Sequence, residues 1–253
     1  MTAHAAVAAL HLPQTTLDAV LDDWTTADFP ERTRAALRLL ECMTLRPREL
    51  DTSFIGRLRD TGLDDTGMRE AGNVGFHYNL INRVADAFDF PVPEGKQKSK
   101  LAAMLNLAGR LLKGTQADPP WTRSPDGSIR PAEVEQGREH FLTAPGVTSS
   151  GLRRAVEAFT AEKRGFPRPG AFSLPPELGP YLEKLALHAY RITDGDVSSL
   201  RSTGYGDEEI YEITMAGALG AALVGLEQLF DVLYGDLPDP GIAASAGRAT
   251  ARR

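Results

Sequence analysis

The sequence has 253 residues, of which 42% are hydrophobic and 25% are charged, a balance typical of globular proteins rather than disordered or fibrous chains. Acidic residues outnumber basic residues by 34 to 28, and the formal charge of -6 argues against a nucleic-acid partner. The single cysteine, Cys42, excludes an intramolecular disulfide, a dithiol redox pair and a zinc site built from several cysteines.

Apolar residues recur with helical spacing, interrupted where proline and glycine cluster. We predict an all-α fold without a strand pair. The predicted helices lie at about 15–24, 31–45, 52–61, 65–88, 97–113, 131–141, 149–163, 176–191, 194–202 and 207–234. The tail at 235–253, rich in proline, glycine, alanine and arginine, is expected to be flexible.

The two segments that bear on location are the N-terminus and the most apolar stretch. Residues 1–12 lack the basic region and apolar core of a signal peptide, so a cytoplasmic protein is expected. The stretch from Ile213 to Leu226 is shorter than the roughly 18 residues that a membrane span needs. It predicts a helix buried within the protein.

Residues 56–89 align without a gap to residues 198–231. The identical pairs in this register are Leu58/Leu200, Arg59/Arg201, Thr61/Thr203, Gly62/Gly204, Asp65/Asp207, Glu70/Glu212, Gly75/Gly217, Phe88/Phe230 and Asp89/Asp231. Each copy consists of a short helix, a Thr-Gly stop and a long helix that begins at an aspartate. We therefore predict a first helical repeat at 1–113, a connector at 114–175 and a second repeat at 176–234. The repeats are expected to pack about a pseudo-twofold axis.

Several segments of both copies resemble one family of helical proteins. They are ALRLLECMTL, IGRLRDTGLDD and FHYNLINRVADAF in the first copy and AYRITDGDVSSLRSTGYGDEEIYEITMAGALGAAL in the second. These segments resemble the repeat of peroxidase-related members of the carboxymuconolactone decarboxylase and alkylhydroperoxidase D superfamily. The resemblance covers somewhat under half of the chain. It implies a duplicated helical bundle.

The resemblance also implies where a redox site would lie. In the redox branch of that superfamily, a glutamate precedes a CxxC pair, and a histidine follows the second cysteine. Anchored on Glu70, this pattern places Asn82 and Ala85 at the cysteine positions and Asp89 at the histidine position. The chain thus resembles a member that lacks the dithiol site.

The long helix at 65–88 carries the first candidate site. Its predicted buried stripe contains Val74, Tyr78, Ile81, Val84, Ala85 and Phe88. Glu70 and His77 lie beside this stripe, and a carboxylate with an imidazole near an apolar surface can act as general base and acid. We identify this pair as candidate catalytic residues, with Asn73 and Tyr78 as candidate substrate-binding residues. A hydrogen-bonded structural pair is the alternative.

The corresponding helix of the second copy is a partial control. It keeps the glutamate as Glu212, whereas Met215 and Leu219 replace Asn73 and His77. The glutamate alone is therefore interpreted as structural, bonded to free backbone amides of a neighbouring helix.

Cys42 is a second candidate catalytic residue, although a cysteine among apolar residues is usually a small buried hydrophobe. His188 occupies a roughly matching position in the second copy if residues 46–49 are treated as an insertion. It is a candidate substrate-binding residue in a single-cysteine site for peroxide reduction.

A polar set lies on the other side of the helix at 65–88. It consists of Asn79, Asn82, Arg83 and Asp86, and Arg83 and Asp86 have the spacing of an intrahelical ion pair. We interpret this set as a solvated or subunit-contacting face.

Three functions follow from these residues. The first is a cofactor-independent acid/base enzyme that acts on a small organic molecule through Glu70 and His77. The second is a peroxidase-related oxidoreductase that uses Cys42, and the third is a non-catalytic helical ligand-binding or oligomeric interaction protein. No cofactor, metal site or membrane partner is expected, and a homodimer is predicted.

Overall fold

The computed structural model describes residues 13–90, 121–170 and 172–237. The helices of this part are α1 (Gln14–Asp23), α2 (Glu31–Leu45), α3 (Thr52–Asp60), α4 (Asp65–Ala87), α5 (Ala132–Thr143), α6 (Ser150–Lys163), α7 (Gly179–His188), α8 (Asp194–Ser202) and α9 (Asp207–Tyr234). The predicted all-α class is confirmed. The helix predicted at 97–113 and nearly all of the tail predicted to be flexible lie outside the described residues.

The chain divides into two compact units. The described residues of the smaller unit are 13–34 and 90, and the larger unit holds all the others. In the smaller unit, Asp23 ends α1 and accepts hydrogen bonds from the backbone nitrogen and the hydroxyl of Thr25 at 2.9 Å and 2.6 Å. Arg34 donates to the Thr25 carbonyl at 2.8 Å. These bonds fix the turn between α1 and α2.

A β-hairpin shows that the prediction of no strand pair is wrong. Strand β1 (Trp121–Arg123) pairs antiparallel with β2 (Ile129–Pro131). Ile129 is buried in the core, and the Trp121 ring stacks on Tyr234 with the centroids 5.4 Å apart. Each strand has three residues, too few to show the alternation of polar and apolar residues by which a strand is recognised in a sequence.

Helices α4 and α9 form a central antiparallel pair in the larger unit. Gly72 near the start of α4 faces Leu229 near the end of α9, and Phe88 beyond α4 stacks on Tyr211 at 5.8 Å. By length and composition α9 could cross a membrane, but 89% of its most apolar window is buried inside the protein. The prediction of a buried helix at 213–226 is confirmed.

Two apolar clusters form the core of the larger unit, and α9 contributes to both. The C-terminal half of α9, including Leu226 and Phe230, packs with residues of α2, α3 and α4. Its N-terminal part, including Ile210 and Ile213, packs with residues of α6, α7 and α8. One continuous helix therefore joins the two clusters.

Gly75 and Gly217 allow a similar close approach in the two copies. A Cβ atom on Gly75 would lie 2.7 Å from the Leu40 side chain of α2. A Cβ atom on Gly217 would lie 2.8 Å from the Leu185 side chain of α7. The missing side chains let α2 pack tightly on α4 and α7 pack tightly on α9.

The turns before the two long helices also have matching geometry. Gly62 and Gly204 have φ values of 84° and 104°, which a residue with a side chain rarely adopts. Arg59 donates to Asp65 at 2.8 Å, and Arg201 donates to Asp207 at the same distance. These matches support the duplication, which stays a prediction.

Candidate functional site

The glutamate and histidine proposed as a catalytic pair lie on an exposed side of α4. Both Glu70 and His77 are exposed, and the ring nitrogen Nδ1 of His77 lies 2.7 Å from the backbone oxygen of Asn73. The side-chain oxygen of Asn73 is enclosed and has no hydrogen-bond partner among the described residues. Neither Glu70 nor His77 lines either of the two large clefts described below.

The predicted buried stripe of α4 is largely wrong. Val74 and Ile81 are 49% and 52% exposed, and Tyr78 is also exposed. The buried residues of α4 are Gly67, Met68, Gly72, Gly75, Phe76 and Ala87. Hydrophobic periodicity missed this face because it contains three glycines, which carry no apolar side chain. Two of them, Gly72 and Gly75, lie where α9 and α2 approach closely.

Cys42 is sealed in the core. Its side chain is fully buried, and the thiol donates a hydrogen bond to the backbone oxygen of Arg46 at 3.4 Å. Burial raises the pKa of Cys42 to about 11, with a smaller contribution from the negative charge of Glu49. At neutral pH the side chain is therefore a protonated thiol, which is a poor nucleophile.

The match between His188 and Cys42 is wrong, because residues 46–49 are not an insertion. A 3-10 turn follows Arg46 just as another follows His188, and their φ/ψ values agree (-139°/52° and -148°/49°). His188 therefore corresponds to Arg46. It is exposed on the wall of a cleft that Cys42 does not line.

This cleft, which we call the arginine cleft, has a volume of ≈ 590 Å³. Four segments of the larger unit line it, namely the end of α2, the second half of α4, the residue after α6 and the end of α7 with the following turn. Its lining residues are Thr44, Leu45, Asn79, Asn82, Arg83, Asp86, Arg164, Leu187, His188, Ala189 and Tyr190. The polar set of α4 therefore lines a concave surface, not only a solvated face.

Arg83 is held in the arginine cleft by neutral groups. Its terminal nitrogen Nη1 donates to the backbone and side-chain oxygens of Asn79 at 2.8 Å and 2.9 Å. Asn79 is itself fixed by a bond of 2.9 Å to the Thr44 hydroxyl. Nη2 donates to the Ala186 carbonyl at 3.4 Å, and Nε is enclosed without a partner in the described part of the chain. The orientation of Arg83 is thus determined without a carboxylate.

Arg164 brings a second guanidinium to the same cleft. It donates to the Met43 carbonyl at 3.2 Å, and its Nε is likewise enclosed with no partner among residues 13–90, 121–170 and 172–237. Burial lowers the pKa of Arg164. Burial and the charge of Arg164 lower the pKa of Arg83 to about 10, against the opposing effect of Asp86. Both arginines are still charged at neutral pH.

Asp86 is the acidic residue of the arginine cleft. The predicted Arg83–Asp86 ion pair is wrong, because no salt bridge within 4.0 Å joins Asp86 to Arg83 or Arg164 among the described residues. Burial raises the pKa of Asp86, and the charge of Arg83 lowers it. Two cations therefore share the cleft with one carboxylate that pairs closely with neither.

Glu212 lies in a second cleft of ≈ 590 Å³, between the α5–α6 loop and the start of α9. Its carboxylate accepts hydrogen bonds from the backbone nitrogens of Val147 and Thr148 at 3.0 Å and 2.8 Å. The Thr148 hydroxyl also donates to it, and Arg153 lies 3.1 Å away. Glu212 thus ties α9 to backbone amides just before α6, a structural role like the one predicted.

A buried network of arginines and carboxylates joins the hairpin to α9. Arg130, which is fully buried, contacts Asp126, Glu135 and Glu227 within 2.8 Å. Arg168 donates to the same Glu227 at 2.8 Å. Sequence reasoning missed this network, as it missed Arg164, because Arg168 and Glu227 are far from Arg130 in the chain and no local motif links the three.

Among the described residues, no group of three or more His, Cys, Asp or Glu side chains has an arrangement that could hold a metal ion. Comparison of the chain with protein-family models, curated proteins and solved structures finds no match.

Proposed function

We propose that this chain is a helical ligand-binding protein that holds a small organic molecule in the arginine cleft. The observation that carries the proposal is the cleft itself, whose volume of ≈ 590 Å³ falls within the usual range for ligand sites. Its walls combine apolar side chains such as Leu45 and Leu187 with polar groups such as Asn82 and Arg83. This combination is typical of sites that orient an organic ligand.

The family resemblance supports the same location. Asn82, on the wall of the arginine cleft, stands where the resemblance places the first cysteine of the redox pair. We therefore propose a bundle like that of the carboxymuconolactone decarboxylase and alkylhydroperoxidase D superfamily, in which a ligand site takes the place of the dithiol site. We also propose that the protein is cytoplasmic and forms a homo-oligomer.

Binding without catalysis accounts best for the candidate catalytic residues. Cys42 is sealed, and its pKa is raised to about 11, so it is not an activated peroxidatic thiol. Glu70 and His77 are exposed on α4 and line neither large cleft, so the described residues do not give them an enclosed site, in which acid/base catalysis is most effective.

The test blocks one cleft at a time. Leu187→Trp places a large ring in the arginine cleft, and Val147→Trp does the same in the Glu212 cleft as a matched control. Both residues are partly exposed, so both variants should fold. A thermal-shift screen against a library of small organic molecules identifies compounds that raise the melting temperature of the parent protein. These compounds should not raise the melting temperature of Leu187→Trp, but they should still raise that of Val147→Trp. Equal stabilisation of both variants would contradict the proposal.

A further inference from the structure

We infer that the arginine cleft binds an organic acid, and that Arg83 and Arg164 together bind its carboxylate. This inference rests on the proposed function and adds the chemical class of the ligand. The guanidinium groups that this protein encloses most completely all have carboxylate partners.

Four arginines with enclosed side chains are paired with carboxylates. Arg130, Arg138, Arg153 and Arg168 have side chains no more than 7% exposed, and each has a carboxylate oxygen within 3.1 Å. Arg83 and Arg164 depart from this pattern. Both are half-buried, and among the described residues neither has a carboxylate within 4.0 Å, although the Nε of each is enclosed without a partner there.

The charges that face the arginine cleft favour an anion. They are Arg83 from α4, Arg164 from the end of α6 and Asp86 from α4, with His188 as a further titratable group on the wall. Two guanidinium groups near each other repel, and the lowered pKa of Arg83 reflects that repulsion as well as burial. An anion between them would relieve the repulsion.

The bonds already made leave donors for a ligand. Arg164 donates one hydrogen bond, to the Met43 carbonyl, and Arg83 donates to Asn79 and Ala186. A guanidinium has more N–H groups than these bonds use, and its planar fork matches a carboxylate. Because Asn79 already fixes Arg83, the ligand would not have to order that side chain.

The apolar side chains of the cleft indicate what the carboxylate is attached to. Leu45, Leu187 and Tyr190 line the cleft and are 63%, 40% and 67% exposed. A ligand with an apolar or aromatic body would cover them while its carboxylate reached the two arginines. A bare inorganic anion would leave them exposed.

The first experiment uses the unmodified protein, with isothermal titration calorimetry of benzoate, its neutral analogue benzamide and inorganic phosphate. Benzoate should bind, benzamide should bind at least about tenfold more weakly because it cannot form charge-assisted hydrogen bonds, and phosphate should bind more weakly than benzoate. Equal binding of benzamide would overturn the inference while leaving a cleft that binds neutral molecules. Tighter binding of phosphate would overturn the assignment of a carboxylate.

The second experiment removes one charge at a time. Arg83→Gln and Arg164→Gln should each weaken benzoate binding by roughly tenfold to a hundredfold. Arg57→Gln, which removes an exposed charge from α3, is the matched control and should bind like the parent protein. Circular dichroism of each variant checks that it is folded. Unchanged benzoate binding in both cleft variants would overturn the inference, and failure of Leu187→Trp to block any ligand would instead overturn the proposed function.

Discussion

Replacement of Glu227 by glutamine should lower the free energy of unfolding by about 3 to 5 kcal/mol, the range found when one partner of a buried ion pair is removed. Glu227 lies in the second half of α9 and accepts hydrogen bonds from Arg130 at 2.5 Å and from Arg168 at 2.8 Å. Glutamine has nearly the same size but no charge. Two largely buried guanidinium groups therefore lose a charged acceptor, and the packing volume is unchanged.

The contacts that remain in the variant set the magnitude. A hydrogen bond to a charged group contributes about 1.5 to 3 kcal/mol, and Glu227 accepts from two arginines. Arg130 keeps Asp126 at 2.8 Å and Glu135 at 2.5 Å, which limits its loss. Of the described carboxylates, only Asp126, at 3.8 Å, still pairs with Arg168. The combined loss again lies at about 3 to 5 kcal/mol.

Urea unfolding followed by far-ultraviolet circular dichroism measures this loss. The matched control is Glu183→Gln, which removes the same charge from a salt bridge of 2.8 Å to Lys163 on the surface. The control should cost less than about 1 kcal/mol because exposed ion pairs contribute little. A loss for Glu227→Gln no larger than that of the control would refute the reasoning.

Three further predictions concern single side chains. Burial raises the pKa of Glu212, but the bonds from Thr148 and Val147 and the charge of Arg153 outweigh it and lower the pKa to about 2. Ionised Glu212 therefore stabilises the fold above its ordinary pKa of 4.5, and this contribution is lost as the pH falls towards 2. Glu212→Gln should lower the free energy of unfolding by about 2 kcal/mol at neutral pH, measured by urea unfolding. The variant should also lose less stability than the parent protein as the pH falls from 4.5 towards 2, and an equal loss would argue against this role. Cys42 should react with a disulfide reagent far more slowly in the folded than in the unfolded protein, and equal rates would show that the thiol is accessible. His77→Gln should change the free energy of unfolding by less than about 0.5 kcal/mol in the same assay, since its side chain is exposed, and a loss of 1 to 3 kcal/mol would point instead to a structural hydrogen bond.

The helices were predictable because their signals are local. The Thr61–Gly62 pair, for example, marks a helix end where the chain needs a positive φ, and the structure ends α3 there. The inward face of α4 was not predictable from hydropathy, because Gly72 and Gly75 are recognised as core residues only once the partner helix is known. The sequence of one helix does not by itself identify the helices that pack on it.

The candidate site was predictable only in part. The sequence identified the polar set that contains Arg83, but a solvated face and a cleft wall have the same pattern. What distinguishes them is Arg164, which is 81 positions away in the sequence and comes close only through the packing of α6. The network around Arg130 has the same origin, since Arg168 and Glu227 meet it only in the folded chain.

The course of α9 through both apolar clusters has a consequence for folding cooperativity. Ile213 belongs to one cluster and Leu226 to the other, and thirteen positions of unbroken helix connect them. Melting of either cluster would expose part of this helix and remove support from the other half. Amide protons in the middle of α9 should therefore exchange with solvent only when the whole larger unit unfolds. By the same reasoning, a fragment that carries one helical copy alone would leave half of a core without its partner.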